Sequence, residues 1–283
     1  MDSEFTTTEI IQQNKALAYN NLWLFIFLFI LILILFYNDK ILIQNQKYLN
    51  QIYNNEVIIK DKFTNLINPN YTVNKINDKM WIVENLLSNE YFNYLKTQFD
   101  GKKFNTQNFY YRKATGVNFN NLHKTSEYQG FLELYYSEDI LRVLTNVLKK
   151  PINRPPLSDN NSCSLLIYSN PGDFIDWHMD YSNYYGDRYV VLFSLINSNK
   201  DGECCSSNEF VYKNGNNTGE EKLKLKPNNL LIFKGSEILH KSTEIGEGEK
   251  RILLSMTFCD ICQEKQNITY GIYESVKNFI LYK

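Results

Sequence analysis

The longest apolar run of the chain lies near its amino terminus, where residues 22–37 contain neither a charged side chain nor an amide. A helix of this length spans about 24 Å, and extending it back to Leu17 gives a segment that crosses the hydrocarbon core of a bilayer. Tyr19, Trp23 and Tyr37 lie near its ends, as aromatic rings do at membrane interfaces. The pattern predicts a single transmembrane anchor over residues 17–37, after an N-terminal tail of residues 1–16.

Two alternatives to an anchor are a signal peptide and a buried core helix. A signal peptide begins with basic residues, whereas the acidic Asp2, Glu4 and Glu9 precede this run. A core helix is seldom apolar on every side over such a length. The flanking lysines are nearly balanced, so the side of the membrane that holds the rest of the chain stays open.

The pattern after residue 37 changes twice. Residues 38–79 are mainly polar with a few apolar residues at helical spacing, which indicates a stalk or linker. From Met80 to Pro156 the spacing predicts one short strand and two helices, with Ser88 and Ser137 as N-caps. Beyond Pro156, short apolar segments between turn residues predict an antiparallel sandwich or barrel. Its predicted strands are residues 164–168, 174–179, 189–196, 208–212, 222–225, 229–233 and 251–258.

Composition narrows the function classes. The 283 residues leave room for one large domain with an appendage, and 22% charged with 15% aromatic residues is typical of a folded protein. The net charge of −1 gives no electrostatic reason to expect a nucleic-acid partner.

Candidate chemistry is found at Trp177-His178-Met179-Asp180. Side chains two residues apart on a strand point to the same face, so His178 and Asp180 would form half of a metal site. Of the chain's three histidines, His240 follows the apolar strand 229–233, whereas His123 has no partner spacing and is expected at the surface. Two histidines and one carboxylate form the facial triad of non-haem Fe(II) oxygenases. A lone His-x-Asp is weak, since a turn or a surface pair gives the same spacing.

The last predicted strand places Arg251, Leu253, Ser255 and Thr257 on one face. An arginine buried inside a barrel needs an anion, and its guanidinium matches a carboxylate through two hydrogen bonds. An exposed arginine at the strand end is the alternative.

The three segments together resemble a known family. The runs 166–180, 226–240 and 248–258, in this order and after Leu86-Leu87-Ser88-Asn89-Glu90, are similar to the Fe(II)/2-oxoglutarate-dependent dioxygenases of the prolyl 4-hydroxylase type. The resemblance covers residues 80–262, leaves a C-terminal extension over 263–283, and implies an α+β fold. That fold is a double-stranded β-helix (jelly-roll) barrel with flanking N-terminal helices, here preceded by the single transmembrane helix.

The resemblance also assigns roles to residues. His178, Asp180 and His240 would be the catalytic iron ligands, and Arg251 would bind the distal carboxylate of 2-oxoglutarate. Tyr168, Ser255 and Thr257 would complete the cosubstrate pocket.

One departure from the family concerns the basic residue. The family usually has it at the position of Lys250 or one residue earlier, whereas Arg251 follows His240 by eleven positions. We favour Arg251 because it shares its strand face with Ser255 and Thr257, and Lys250 stays as the alternative.

The implied activity is hydroxylation of an amino-acid side chain, prolyl above all, in a protein or peptide, with decarboxylation of 2-oxoglutarate to succinate. Its cofactors would be Fe(II), 2-oxoglutarate and O2, with ascorbate as a possible addition. Alternatives are the same chemistry on a lysyl, small-molecule, lipid or nucleobase substrate, and a non-catalytic barrel that serves as a tethered binding module. In each case the protein is expected at a membrane as a single-pass protein.

The five cysteines leave at least one free thiol in any intramolecular pairing. In an oxidising compartment, Cys204 or Cys205 could pair with Cys259 or Cys262. The fifth is Cys163.

Overall fold

A computed structural model describes residues 7–265, apart from residues 64, 99–104, 107, 109–110, 125 and 214–218. The chain forms two compact units, Met1–Ile43 with Thr269–Lys283 and Gln44–Ile268, which are described separately. The predicted C-terminal extension lies outside the described residues beyond Lys265.

The apolar run belongs to one long helix, α1 (Thr7–Lys62). Its stretch Leu17–Asn50 is long and apolar enough to cross a membrane, a property shared by signal sequences and by some core helices of soluble proteins. Most large side chains of the run are exposed, among them Trp23 and Phe25. The helix continues through much of the segment that the sequence indicates as a stalk.

The second unit contains two antiparallel sheets and four further α-helices among its described residues. The elements after α1 are β1 (Thr72–Asn77), β2 (Met80–Glu84), α2 (Asn89–Thr97), β3 (Asn105–Thr106), β4 (Arg112–Lys113), β5 (Thr115–Val117), α3 (Phe119–Lys124), α4 (Gln129–Tyr136), α5 (Glu138–Leu148), β6 (Cys163–Tyr168), β7 (Phe174–His178), β8 (Arg188–Ser198), β9 (Phe210–Lys213), β10 (Glu220–Leu223), β11 (Leu230–Lys234), β12 (Leu239–Ser242) and β13 (Lys250–Cys259). The larger sheet has the order β1-β2-β11-β8-β13-β6-β5-β3, and the smaller sheet has the order β10-β9-β12-β7-β4.

Two clusters of buried apolar side chains show how the sheets and helices pack as layers. One joins the facing sides of the two sheets and includes Ile175 of β7, Phe210 of β9 and Leu253 of β13. The other packs helices against the outer side of the larger sheet, for example Tyr91 and Leu254. Two packed antiparallel sheets with helices on one side fit the predicted jelly-roll architecture.

Both predicted helix caps are confirmed. Ser88 Oγ accepts a hydrogen bond from the Tyr91 N–H at the start of α2, and Ser137 Oγ accepts one from the Ile140 N–H at the start of α5. Each cap satisfies one of the amide groups that a helix leaves unpaired at its first turn. Helix α5 ends at Lys149, which adopts the left-handed conformation.

The seven predicted strands are present to within two residues at either end. Five strands escaped the pattern, namely β1, β12 and the short strands β3, β4 and β5 of two or three residues each. β1 pairs with β2 inside the segment indicated as linker, so the sheet begins eight residues before residue 80; its side chains are mostly exposed, because it is an edge strand. β12 is short and half polar, and therefore shows no apolar alternation.

The cysteine pairing differs from the one considered above. Disulfides join Cys204 to Cys205 and Cys259 to Cys262, while Cys163 is free and buried. Pairing across the two groups is excluded by the β8–β13 ladder. Cys259 lies opposite Arg188 at one end of the ladder, and Cys204 follows the other end, about 30 Å away at about 3.3 Å per residue.

Candidate metal centre and anion site

Three predicted ligand residues converge at the end of the smaller sheet. His178 on β7 lies directly opposite His240 on β12, with ring centroids 4.2 Å apart. Asp180 follows two residues after β7 ends, and its Oδ2 lies 3.6 Å from Nε2 of His240. One ligand atom from each residue lies within 4.8 Å of the other two. The cluster has the geometry to hold a metal ion.

A bulge in β7 aims His178 inward. His178 pairs with His240, whereas Ile175 pairs with Ser242, so β7 has one residue more than β12 between these pairs. The extra residue lets both Ile175 and His178 face the space between the sheets. Trp177 instead faces the other side of the sheet, where the Lys213 and Lys241 ammonium groups lie over its ring. The sequence pattern predicts an uninterrupted strand here, so this break is a correction to it.

Hydrogen bonds fix the orientation of both imidazoles. Nδ1 of His178 lies 2.7 Å from the Asp176 carbonyl oxygen, and Nδ1 of His240 lies 3.0 Å from the Ile238 carbonyl oxygen. Because a carbonyl only accepts, each Nδ1 donates to it, and in the neutral ring Nε2 then has the lone pair that binds a metal. Burial lowers the pKa of His240 to about 4 despite the opposing effect of the Asp180 carboxylate, so this ring is neutral at physiological pH.

A buried cation lies farther along the same sheet interface. Arg251 is 1% exposed, and its Nη1 donates to Asn208 Oδ1 and to Ser242 Oγ. Its Nε has no hydrogen-bond partner, and no carboxylate forms an ion pair with it among the described residues. Burial lowers the pKa of Arg251, yet arginine stays protonated at any physiological pH. A buried guanidinium without a counterion favours a bound anion.

Tyr168 and Ser242 connect this cation to the metal cluster. Tyr168 lies opposite Arg251 on β6, and its ring is 5.8 Å from the guanidinium. Ser242 follows His240 by two residues on β12, so the two side chains share a face about 7 Å apart. The anion site therefore adjoins the metal cluster.

The other predicted cosubstrate residues lie farther from Arg251. Ser255 and Thr257 pair with Leu192 and Val190 of the inner cluster, so they face inward as the alternation predicts. Thr257 is nevertheless six positions along the strand from Arg251, about 20 Å, and its hydroxyl donates to the Asn161 carbonyl. The structure does not bring Thr257 together with the guanidinium.

Sequence reasoning missed Asn208 and Ser242, and it misplaced His123. Recognising β12 would have put Ser242 on the face of His240, whereas nothing marks Asn208 among the loop residues before β9. His123 is buried in the helical layer, against the expectation of a surface position. Its ring nitrogens interact with the Phe119 carbonyl and the Tyr136 hydroxyl, so it is a structural residue.

No protein-family model matches the sequence, and no curated protein matches it. Solved structures do match. The epimerase SnoN in complex with Fe3+, α-ketoglutarate and nogalamycin RO has 11% identity and a TM-score of 0.50, over 68% of this chain and 84% of SnoN. A Pseudomonas putida prolyl-4-hydroxylase has 13% identity and a TM-score of 0.47 over 67% of this chain and 94% of that chain.

A prolyl hydroxylase from Trichoplax adhaerens, in complex with a hypoxia inducible factor peptide fragment, has 15% identity and a TM-score of 0.47. It matches over 65% of this chain and 83% of that chain. Identities this low speak for the fold alone. The family resemblance seen in the sequence is thus confirmed at the level of the fold, which is that of the Fe(II)/2-oxoglutarate oxygenases.

Proposed function

We propose that this protein is an Fe(II)/2-oxoglutarate-dependent oxygenase, anchored in a membrane, that hydroxylates an amino-acid side chain in a protein or peptide. The observation that carries the proposal is the convergence of His178, Asp180 and His240 beside Arg251, a buried cation with no counterion in the part of the chain that the structure describes. 2-Oxoglutarate has one carboxylate for the guanidinium and a keto-acid end for a metal, so it matches both sites at once.

The donor set fits iron. Two neutral imidazole nitrogens and one carboxylate oxygen are the ligands of non-haem Fe(II) oxygenases, and three protein ligands leave positions open for cosubstrate and O2. Bound Fe(II) would supply the oxidative chemistry, coupled to decarboxylation of 2-oxoglutarate to succinate. The protein's share is to hold both imidazoles by Nδ1, so that their Nε2 atoms face the metal position.

The anion site fits the cosubstrate. The Arg251 guanidinium would bind the distal carboxylate, and its contacts with Asn208 and Ser242 hold it in place before binding. Phe210 and Phe233 pack on His240 with ring centroids 5.2 Å and 4.8 Å away. These rings keep water from the buried side of the centre.

The substrate and the anchor rest on weaker support. A prolyl side chain follows from the motif resemblance, while SnoN, an epimerase that binds nogalamycin RO, illustrates that this fold serves other substrates. The exposed apolar side chains of Leu17–Asn50 support a membrane anchor. Ascorbate would keep the iron reduced between turnovers.

The test measures succinate release by the full-length chain, purified in detergent, with Fe(II), 2-oxoglutarate and proline-containing or lysine-containing peptides. His178→Ala and Asp180→Ala should abolish turnover. His123→Ala is the matched control, because this buried histidine contacts no part of the site and should lower stability while turnover persists. Equal succinate release by wild type and Asp180→Ala would contradict an iron centre here. Turnover stimulated by the lysine peptide alone would reject the prolyl substrate.

A further inference from the structure

We propose that Gly235, in the turn between β11 and β12, is a positioning residue that sets the place of the Asp180 carboxylate in the metal cluster. The inference rests on the proposed function, since it assigns Gly235 a role towards a bound metal. It concerns a residue outside the three ligands and outside the anion site.

Asp180 needs support because it lies beyond the end of β7. Its backbone N–H donates to the Gly235 carbonyl over 3.0 Å, and the Gly235 N–H donates to the Arg188 carbonyl over 3.2 Å. Gly235 therefore lies between the segment that carries the ligand and the first residue of β8. This backbone bridge replaces the strand ladder that holds the two histidines.

The space at Gly235 admits no side chain. A Cβ there would lie 2.7 Å from Cγ2 of Val190, 2.9 Å from Cβ of Asp180 and 3.2 Å from its Oδ2. That oxygen is the one 3.6 Å from Nε2 of His240. The φ angle of Gly235 is not in the left-handed region, so the need for glycine comes from the close approach alone.

Neither side of the contact yields easily. Val190 is β-branched and lies in the core between the sheets, where its rotamer is restricted. The turn is held by the Lys234 N–H donating to the Lys79 carbonyl over 3.0 Å and by the Lys79–Glu237 ion pair at 2.8 Å. A methyl group at Gly235 would therefore displace the Asp180 side chain, which is more exposed than Val190, and its carboxylate with it.

The test is anaerobic titration of the full-length chain with Fe(II) in the absence of 2-oxoglutarate, read by calorimetry, with Tm recorded for every variant. Gly235→Ala should weaken Fe(II) binding at least about tenfold. Val190→Ala alone should bind Fe(II) as the wild type does. The double variant removes the 2.7 Å contact with Val190, but its Fe(II) binding should stay weak because the contact with Asp180 remains.

Each result decides a different question. Wild-type affinity in Gly235→Ala, or affinity recovered in the double variant, would overturn the role of Gly235 and leave the iron centre intact. A lowered Tm with unchanged affinity would do the same, since it would show a purely structural role. Failure of the wild type to bind Fe(II) would overturn the proposed function, and the role of Gly235 with it.

Discussion

Replacing Arg251 by methionine isolates the charge of the anion site. The substitution keeps an unbranched side chain of similar length and removes every donor of the guanidinium. Arg251 is buried, and it donates to Asn208 and Ser242. The substitution therefore has two effects, one on the stability of the protein without cosubstrate and one on the affinity for the cosubstrate.

The effect on the protein alone should be small. Asn208 Oδ1 and Ser242 Oγ lose a donor, which costs about 1–3 kcal/mol for a buried acceptor left without a partner. The variant also no longer buries a cation without a counterion, and that relief offsets much of the cost. We expect the Tm of Arg251→Met without cosubstrate to stay within a few degrees of the wild type.

The effect on cosubstrate binding should be large. A hydrogen bond to a charged group contributes about 1.5–3 kcal/mol. The guanidinium would make two such bonds to the carboxylate, and partial compensation elsewhere leaves a loss of about 2.7 kcal/mol, or about 100-fold in Kd. At a 2-oxoglutarate concentration of about 100 times the wild-type Kd, the wild type gains about 2.7 kcal/mol of stability from the ligand, whereas the variant gains about 0.4 kcal/mol.

The assay is thermal unfolding with and without 2-oxoglutarate, in the presence of Mn(II) so that no turnover occurs. Lys250→Met is the control, because Lys250 is adjacent in sequence, half-buried, and on the opposite face of β13. Arg251→Met should lose the stabilisation and Lys250→Met should keep it. The reverse result would refute the assignment of the cosubstrate carboxylate to Arg251 and restore Lys250 as its partner.

Three further outcomes test the scaffold. The ion pairs with Lys150 and Lys234 outweigh burial and lower the pKa of Asp187 from 3.8 to about 2. This shift corresponds to about 2.5 kcal/mol of stability, which screening at a partly exposed carboxylate reduces to about 1 kcal/mol. Asp187→Asn should cost that much in urea unfolding at pH 7, and the difference should shrink as the pH falls from about 4 towards 2, since a group with a lowered pKa stabilises only while ionised; a difference independent of pH would argue against it. Ser137→Ala should lower the free energy of unfolding by about 1 kcal/mol through loss of the cap of α5, and an unchanged value would contradict the cap. Deleting residues 1–40 should move the protein from the membrane fraction to the soluble fraction in a flotation assay, and a variant that still floats with the membranes would contradict the anchor.

The sequence predicts the parts of this fold that depend on local signals. Ser88 and Ser137 mark the helix starts because a cap is a contact over three residues, and the apolar segments mark seven strands because alternation is local too. The candidate ligands can be identified from the sequence because the chain has only three histidines. His123 shows the limit of that reasoning, since spacing alone does not tell a buried structural histidine from a surface one.

The features that sequence reasoning missed depend on partner strands. β1 and β12 have weak patterns of their own, and pairing with β2, β7 and β9 makes them strands. Asn208 contacts Arg251 over 43 positions of sequence, and Gly235, in the turn that follows β11, contacts Asp180, which follows β7. The alternation of apolar and polar residues within a single strand gives no information on contacts between distant segments.

The bulge in β7 follows from a conflict between packing and chemistry. Ile175 and His178 are an odd number of residues apart, so a regular strand could place only one of them between the sheets. Facing Ile175 outward would remove an apolar side chain from the inner core, and facing His178 outward would separate it from His240. The extra residue resolves the conflict at the cost of a disturbed ladder, and Trp177 meets the Lys213 and Lys241 ammonium groups on the other face. A break in alternation beside a candidate ligand is therefore itself a sign of a site, because an interrupted strand persists only where something other than regular pairing requires it.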